Sequence, residues 1–396
     1  MSIELVQRHG AHNYHPLPVV IERGEGEWVW DAQGRRYLDM LSSYSALNQG
    51  HRHPRVVAAM KAQLDRVTLT SRAFHNDQLG PFLALLSQVS GFPKALPMNS
   101  GAEAVETGLK AVRKWGYTVK GVPRDEARII VATNNFHGRT TTIVSFSTEP
   151  QYQEGFGPFT PGFDVVPYGD AAAVAKRITK NTVAVFVEPI QGEAGVVVPP
   201  AGYLRALREL CDRRGVLLFL DEIQTGLGRT GKMWAFEHEG IRPDCITVGK
   251  ALGGGLYPVS AFCATEEVMA VFHPGDHGST FGGNPLGAAV AREALQVLLD
   301  EDLPRRAGEL GGYLKARLEE VATPAVKEVR GMGLLLGMEF HVEAGPARPF
   351  CEALKERGVL CKDTHGQVAR FAPPLTVSKD ALDFAVDQVS AVLRGS

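Results

Sequence analysis

Short apolar runs alternate with helical patterns through the middle of the chain, and this alternation limits the fold more than any other feature. The runs are rich in β-branched and other apolar residues and span residues 127–133, 182–188, 215–221, 245–249 and 258–264. Amphipathic stretches at 102–116 and 201–215 are typical of helices, and each ends at a glycine. Buried strands separated by helices predict an α/β domain with a mostly parallel sheet flanked by helices.

The pattern changes near residue 286 and divides the chain into two predicted domains. Residues 50–285 form the large α/β domain in this prediction. Long amphipathic helices follow, in “AREALQVLLDEDL” and “GGYLKARLEEVA”, and then short strands such as “GLLLGMEF”. The N-terminal stretch “GEWVWDAQGRRYLDML” resembles a hairpin with its turn at Gln33–Gly34. We therefore expect residues 1–49 and 286–396 to form one smaller α+β domain together.

Composition and charge argue against several classes of protein. The formal net charge of −2 offers no basic surface for nucleic acid. No apolar stretch reaches the ~18 residues that a membrane-spanning helix requires. The first twenty residues lack the apolar core of a signal peptide, and the five scattered cysteines contain no CxxC pair. We expect a cytoplasmic protein with reduced thiols.

Polar residues follow the apolar runs at the points where the strands should end. In chain order the strand ends lead into “NSGAEA”, “NNFHGRT”, “EPIQGEAG”, “DEIQTG” and “GK”. Open α/β sheets bind ligands just beyond the carboxyl ends of their strands. One such stretch would mean little, but five that meet at one edge of a sheet predict a ligand site.

The residue types at these strand ends suit an anionic aromatic cofactor. The small residues of “NSGAEA” could leave backbone N–H groups free for a phosphate, or Asn99 or Ser100 could be an ordinary helix cap. Asp221 ends an apolar strand and needs a cation, either a protonated pyridine nitrogen or a structural arginine. Phe136 could stack on a ring or belong to the core. Lys250 lies between a strand and three glycines, as a loop lysine or as a reactive amine whose pKa falls from about 10.4 towards 7. Together they describe binding of pyridoxal phosphate.

Two competing motifs point to other chemistry. “GLGRTGKM” at 226–233 fits the G-x-x-x-x-G-K phosphate loop, but Met233 stands where Ser or Thr must bind Mg²⁺. A nucleotide-binding protein is therefore a remote alternative. His9, His12 and His15 could suggest a metal, but no partner cluster accompanies them, so no metal site is predicted.

Several longer stretches resemble the class III (ω-amino) branch of the fold-type I, pyridoxal-phosphate-dependent aminotransferases. They include “PMNSGAEAVETGLKAVRKWGY”, “DEIQTGLGRTGK”, “GKALGGGLYPVSA” and “HGSTFGGNPLG”, and extend from about residue 8 to 375. “NYHPLPV” and “SSYSALNQGH” are similar to the members that use ornithine. The resemblance implies transfer of the δ-amino group of L-ornithine to 2-oxoglutarate, giving glutamate 5-semialdehyde, which cyclises to pyrroline-5-carboxylate, and glutamate. N-Acetylornithine, 4-aminobutyrate or a lysine-type ω-amino acid remain alternative donors.

The resemblance also implies roles in cofactor binding. Lys250 would hold the cofactor covalently and later carry a proton, and Asp221 would pair with the pyridine nitrogen. The other contacts would be Gln224 to the phenolic oxygen, Phe136 and Ile223 on the two ring faces, and the N–H groups of Gly101 and Ala102 to the phosphate. Ser279 and Thr280 would reach the phosphate of the other subunit, which implies a homodimer with active sites at the subunit interface.

Five further residues are implied in substrate binding. Arg139 would bind a carboxylate far from the reacting carbon, Tyr14 would contact the α-amino or carboxylate end of ornithine, and Tyr44 would shape the pocket. A salt bridge between Glu193 and Arg370 would mask the arginine for ornithine and open for the α-carboxylate of 2-oxoglutarate. His75 and His137 stand where larger aromatic residues would be equally in place, which leaves the fine substrate preference open.

Overall fold

The computed structural model describes residues 2–395 and contains fifteen strands within that range. In chain order the strands are β1 (Ile21–Glu25), β2 (Trp28–Asp31), β3 (Arg36–Asp39), β4 (Lys94–Met98), β5 (Arg128–Ala132), β6 (Phe163–Val166), β7 (Thr182–Val187), β8 (Leu217–Asp221), β9 (Cys245–Val248), β10 (Ser260–Ala264), β11 (Val326–Met332), β12 (Leu335–Phe340), β13 (Val359–Leu360), β14 (Lys362–Thr364) and β15 (Val368–Phe371). They form three sheets, of seven, four and four strands.

The helices lie between and around these strands. They are α1 (Ser2–His9), α2 (Ser42–Ser45), α3 (Pro54–Leu64), α4 (Leu79–Ser90), α5 (Gly101–Thr118), α6 (Thr141–Val144), α7 (Pro150–Gln153), α8 (Ala171–Arg177), α9 (Tyr203–Arg214), α10 (Glu266–Met269), α11 (Pro285–Asp300), α12 (Leu303–Val321), α13 (Ala347–Glu356) and α14 (Lys379–Arg394). Short 3₁₀ turns span Ala235–Glu239, Lys250–Gly253 and Val342–Ala344. None of the helices between residues 2 and 395 is both long and apolar enough to cross a bilayer.

The central seven-stranded sheet has the order β4-β10-β9-β8-β7-β5-β6. The neighbours from β6 to β9 pair in parallel, whereas β10 is antiparallel to both β4 and β9. Strands β7 to β10 are buried at every residue, as expected for strands covered on both faces. The predicted α/β fold with a mostly parallel sheet is therefore confirmed. The antiparallel direction of β10 was not predicted from the sequence.

The two predicted helices differ in how they end. Helix α9 ends at Gly215, whose φ of 58° gives the left-handed cap that glycine favours. Helix α5 instead continues past Gly116, where the prediction ended it, to Thr118. A Cβ on Gly116 would lie 2.2 Å from Cγ1 of Val183, so the missing side chain serves packing against β7. A glycine therefore allows close packing at residue 116 and ends a helix at residue 215.

The two smaller sheets join the ends of the chain. One has the order β1-β2-β3-β13, in which the N-terminal hairpin pairs in parallel with Val359–Leu360, and the other has the order β11-β12-β15-β14. All strands of the central sheet lie within residues 50–285, and all strands of the smaller sheets lie outside this range. The boundary near residue 286 remains a prediction, because α11, which follows it, packs against α3 and α4 of the larger part.

Candidate active site

A cavity of about 220 Å³ opens at the carboxyl ends of the central strands. The loops that follow β4, β5, β7, β8 and β9 supply its walls, so the five stretches singled out in the sequence meet at one place. Its lining residues are Gly101, Ala102, Phe136, His137, Gly138, Glu188, Ile190, Glu193, Asp221, Ile223, Gln224, Thr225 and Lys250. Eight of the fourteen predicted site residues are among them, and the other six lie elsewhere.

Asp221 is a buried carboxylate held by three donors. Its Oδ1 accepts hydrogen bonds from the backbone N–H of Ile223 at 3.0 Å and from Thr247 Oγ1 at 3.2 Å. Its Oδ2 lies 2.7 Å from Nδ1 of His137, whose ring stacks on Phe186 with centroids 4.0 Å apart. An ionised carboxylate can only accept, so Nδ1 of His137 carries the proton. These contacts fix the direction in which Asp221 can meet a cationic ring nitrogen.

The role of His137 beside Asp221 was missed in the sequence. The prediction associated this residue with substrate preference, whereas the structure places it behind the carboxylate, with its Nε2 buried and without a partner within residues 2–395. The available signal was its position directly after Phe136, at the end of the strand beside β7. Strand order was needed to bring this position next to the end of β8.

Lys250 begins a 3₁₀ turn directly after β9 and has a φ of 46°, a left-handed conformation that costs a non-glycine residue about 1–2 kcal/mol. Burial lowers the pKa of its ammonium group, and the carboxylates of Glu193 and Asp221 oppose that shift. The net direction is downwards, towards the free amine. A covalent role for a lysine requires this direction.

Two of the three glycines after Lys250 adopt left-handed backbone conformations. Gly254 and Gly255 have φ values of 57° and 70°. A Cβ on Gly255 would lie 2.1 Å from Cδ2 of Leu47, and one on Gly254 would lie 2.9 Å from Cγ1 of Val56. These glycines therefore let the turn pack closely on its own chain.

The N-terminus of α5 satisfies both interpretations of “NSGAEA”. Ser100 is the helix cap in a reciprocal capping box with Glu103. The backbone N–H groups of Gly101 and Ala102 nevertheless have no acceptor within the described chain, and both residues line the cavity. A Cβ on Gly101 would lie 3.0 Å from Cδ1 of Ile223, so a larger residue would fill this space. The helix end can thus receive an anion.

Arg370 and Glu193 form a salt bridge beside the cavity. Nη1 of Arg370 donates to Glu193 Oε1 at 2.7 Å and to the carbonyl of Gly192 at 3.2 Å. The arginine side chain is 1% exposed, against 26% for that of Glu193. Burial acts to raise the pKa of Glu193, but Arg370, Lys250 and Gln224 together outweigh it and hold the pKa below its usual value. The pair is therefore ionised, and the glutamate is the member with access to solvent.

Tyr44 is placed beside this pair by an unusual backbone turn. Ser42, Ser43, Tyr44 and Ser45 all have positive φ, between 48° and 68°, so α2 is a single left-handed turn. Asp39 supports its start by accepting from the N–H groups of Leu41 and Ser42 at 2.9 Å each. The Cζ of Arg370 then lies 5.1 Å from the centre of the Tyr44 ring.

Arg139 lies outside the cavity, among aromatic rings. Its Cζ is 4.7 Å from the ring centre of Tyr152, 5.6 Å from that of Phe136 and 6.0 Å from that of Tyr14. No carboxylate of the described residues forms a salt bridge with it. Apart from one hydrogen bond, which Nη2 donates to the Tyr152 hydroxyl at 3.4 Å, the guanidinium group is available to an anionic ligand, whereas Arg370 is paired with Glu193. Tyr152, on the short helix α7, had no distinguishing signal in the sequence, and Tyr14 is 68% exposed.

Gln224 lines the cavity with one amide atom unsatisfied. Its Nε2 donates to the carbonyl of Tyr44 and to Glu193 Oε1, both at 3.3 Å, while its Oε1 is buried without a partner in the described chain. A Cβ on Gly192 would lie 1.4 Å from that Oε1, so only glycine fits beside the amide. The predicted donation to a phenolic oxygen would require Gln224 to change partners.

Ser279 and Thr280 do not line the cavity of their own chain. Ser279 Oγ accepts hydrogen bonds from Asn99 Nδ2 and from the N–H of Gly282, each at 3.0 Å, and Thr280 is exposed. Large apolar side chains are exposed in this segment and in residues 64–74, among them Val67, Leu69 and Phe74, which is 72% exposed. His75 is also exposed and is not among the residues that line the cavity.

The competing motifs do not form the sites that they suggested. Residues 226–233 form consecutive turns, and no α-helix follows to present its N-terminus to a phosphate, as a phosphate loop requires. Arg229 in this segment is fully buried and donates to the carbonyls of Leu334 and Pro373. Within residues 2–395 no group of three or more His, Cys, Asp or Glu side chains could hold a metal ion.

The cavity fits a cofactor with an aromatic ring, a basic ring nitrogen and a phosphate. Phe136 and Ile223 line it as apolar surfaces, Asp221 is an oriented carboxylate, and free N–H groups lie at the start of α5. Unsatisfied polar atoms remain around it in the described chain, on His137, Gln224 and Arg370. Pyridoxal phosphate meets each of these requirements.

Comparison with known proteins agrees with the geometry. Residues 9–393 match the family described as “Aminotransferase class-III”. The chain is 58% identical to the ornithine aminotransferase of Brevibacillus brevis over 392 residues, which are 99% of this chain and 98% of that protein. An ornithine aminotransferase structure from Toxoplasma gondii, with partial occupancy of PLP at its active site, has a TM-score of 0.98 and 45% identity and covers 100% and 93% of the two chains. The acetylornithine aminotransferase of Elizabethkingia anophelis has a TM-score of 0.90 and 46% identity over 100% and 98%.

Proposed function

The chain belongs to the class-III aminotransferase family, and we propose that it transfers the δ-amino group of L-ornithine to 2-oxoglutarate with pyridoxal phosphate as cofactor. One observation carries the choice of substrates: Arg139, beside the lining residue Phe136, forms no salt bridge within the described chain, whereas a second arginine, Arg370, is masked by Glu193. Ornithine has one carboxylate, far from its δ-amino group, whereas 2-oxoglutarate has two. A site that must accept both needs one arginine that is always available and a second arginine that becomes available only when 2-oxoglutarate binds.

The cofactor, when bound, withdraws electrons from the carbon that exchanges the amino group. The chain's own residues supply the rest. Asp221, held by His137, Thr247 and the N–H of Ile223, offers a fixed negative charge for a protonated ring nitrogen. Lys250 offers an amine that can bind covalently and can take up or release a proton at Nζ. Phe136 and Ile223, which line the cavity, would exclude water from the faces of a bound ring.

Glu193 controls which carboxylate Arg370 can bind. With ornithine, the Arg370–Glu193 salt bridge stays closed, because an unpaired guanidinium buried to this extent would be costly. With 2-oxoglutarate, the α-carboxylate replaces Glu193 as the partner of Arg370, and the distal carboxylate binds Arg139. The partial exposure of Glu193 lets it turn towards solvent, where its charge is hydrated.

The choice of amino donor is tested by single half-reactions of the holoenzyme. We expect L-ornithine to bleach the visible absorption of the cofactor with a kcat/KM about tenfold or more above those of N-acetylornithine and 4-aminobutyrate. N-Acetylornithine is the second candidate, because the chain is 46% identical to an acetylornithine aminotransferase. A faster reaction with N-acetylornithine would keep the aminotransferase activity and contradict the substrate. If none of the ω-amino acids bleached the cofactor absorption, the proposed function itself would be contradicted.

We also propose a homodimer in which Ser279 and Thr280 reach the active site of the partner. The exposed apolar side chains near these residues, and the absence of both from the lining of their own cavity, support this arrangement. Chains carrying Lys250→Ala and chains carrying Ser279→Ala with Thr280→Ala should each be impaired at limiting cofactor. Unfolding and refolding them together should restore activity, because one site of each hybrid dimer is then intact. If verified hybrid dimers recovered no activity, Ser279 and Thr280 would belong to the active site of their own subunit.

A cytoplasmic location completes the proposal. All five cysteines are free and buried. Unpaired thiols are the usual state in a reducing compartment, where disulfides are rare. The substrates are small molecules.

A further inference from the structure

Glu188 is a buried carboxyl group in the cavity to which the sequence assigned no role. It follows β7 directly and lines the cavity. Its Oε2 accepts a hydrogen bond from the backbone N–H of Phe136 at 3.1 Å, and its backbone carbonyl accepts one from the Tyr168 hydroxyl at 3.0 Å. Its side chain forms no salt bridge within the described chain.

Three other carboxylates in or near the core have a partner of opposite charge or a histidine. Asp164 pairs with Arg128 and Arg177, Glu193 pairs with Arg370, and Asp221 lies against His137. A buried carboxylate without such a partner is costly and tends to take up a proton. Glu188 has neither kind of partner within the described chain.

The charges around the cavity lead to the same conclusion. The ionisable groups that face Glu188 come from each loop packed against it: Asp221, Glu193, Lys250, His137 and the Tyr168 phenol. With Asp221, Glu193 and Glu188 all ionised, the cavity would carry a net negative charge even if both Arg370 and Lys250 were cations. Burial raises the pKa of Glu188 well above its usual value, and the charge of Asp221 adds to this. The pKa of Glu193, by contrast, lies below its usual value.

We propose that Glu188 stands in the cavity as an uncharged carboxylic acid and that its neutrality helps to keep the Lys250 side chain an uncharged amine. An ionised Glu188 would stabilise the ammonium form of Lys250, as the carboxylates of Glu193 and Asp221 already do. The ammonium form can neither bind covalently nor take up a proton. Glu188 is therefore a positioning residue that acts through Lys250, and only this consequence for catalysis rests on the proposed function.

The proton itself can be observed without any substrate. The infrared spectrum of a protonated carboxyl group contains a C=O stretching band that a carboxylate lacks. The difference between wild-type and Glu188→Gln holoenzyme, recorded in D₂O at neutral pH, should contain this band. The difference between wild type and Glu193→Gln should contain carboxylate bands instead. Carboxylate bands in the Glu188 difference would overturn the proposal.

Glu222 provides a matched control. It is also buried without a salt bridge in the described chain, and burial raises its pKa to about 7. It accepts from Thr225 Oγ1 and from the N–H of Phe236 but does not line the cavity. If Glu188→Gln does not fold, the wild-type enzyme alone can be used. Well above pH 7 the C=O band of Glu222 should disappear, because Glu222 ionises, while the C=O band of protonated Glu188 should persist. Loss of both C=O bands in this pH range would overturn the proposal.

The effect on Lys250 is read from a pH profile. The reaction of 2-oxoglutarate with the aminated enzyme requires Lys250 as the free amine, so its rate falls on the acid side with the pKa of Lys250. Glu188→Gln replaces one neutral group by another and should leave the acid limb in place, as should Glu222→Gln. Glu193→Gln removes a negative charge and should move the limb to lower pH. An equal move in Glu188→Gln would show that Glu188 is ionised and would refute the proposal, whereas no reaction with 2-oxoglutarate in the wild type would refute the proposed function.

Discussion

Replacing Lys250 with alanine should lower turnover by about 10⁴-fold, at the upper end of what a general acid–base group contributes. The variant loses both the covalent attachment and the amine that moves a proton at the reacting carbon. Its fold should persist, because Lys250 makes no hydrogen bond through Nζ within the described chain. Steady-state assays with ornithine and 2-oxoglutarate measure the loss.

A surface variant and an added amine separate chemistry from damage to the fold. Lys180→Ala, in an exposed turn, should keep wild-type turnover. A small primary amine added to Lys250→Ala should restore part of the rate, because it can enter the space that the side chain leaves. Wild-type turnover in Lys250→Ala would show that the reactive amine lies elsewhere. Equal losses in both variants would point to a general effect on the fold.

The second large effect concerns the choice between substrates. Glu193→Gln should raise the ratio of kcat/KM for glutamate to that for ornithine by about 10- to 100-fold. The wild-type enzyme must break a charged hydrogen bond, worth about 1.5–3 kcal/mol, before Arg370 can bind an α-carboxylate. The glutamine has no charge to hold the arginine, so this cost falls away. The measurement compares the two half-reactions by the change in cofactor absorption.

The salt bridge between Glu339 and Arg330, in one of the small sheets, provides a control for Glu193→Gln. Glu339 pairs with Arg330 on the strand next to it, outside the cavity. Glu339→Gln should leave the ratio unchanged even if it lowers stability. A ratio unchanged in Glu193→Gln as well would mean that Arg370 is not the group that tells the two substrates apart.

The parts of the site that could be predicted are those carried by continuous local patterns. The apolar runs indicated buried strands, and the residues at the ends of the runs that form β5, β7, β8 and β9 were placed correctly at one edge of the sheet, as with Asp221 and Lys250. The direction of β10 could not be predicted, because an apolar run shows burial on both faces and carries no information on strand direction.

Contacts between distant segments account for what was missed. His137 meets Asp221, and Glu188 meets the N–H of Phe136, only because β5, β7 and β8 are neighbours. Gly116 reads as a helix end until Val183 is known to press against it. Local propensity contains none of this, since the deciding partner lies about 50 or more residues away.

The left-handed turn at Ser42–Ser45 has a consequence for how the protein fails on heating. Each non-glycine residue in this conformation costs about 1–2 kcal/mol, which packing elsewhere must offset. Such a segment is poised to relax into a right-handed form as soon as the surrounding contacts loosen. Tyr44 would then leave Arg370, although the central sheet stays whole. On warming, we expect the difference in kcat/KM between amino donors to decrease before circular dichroism records any loss of secondary structure.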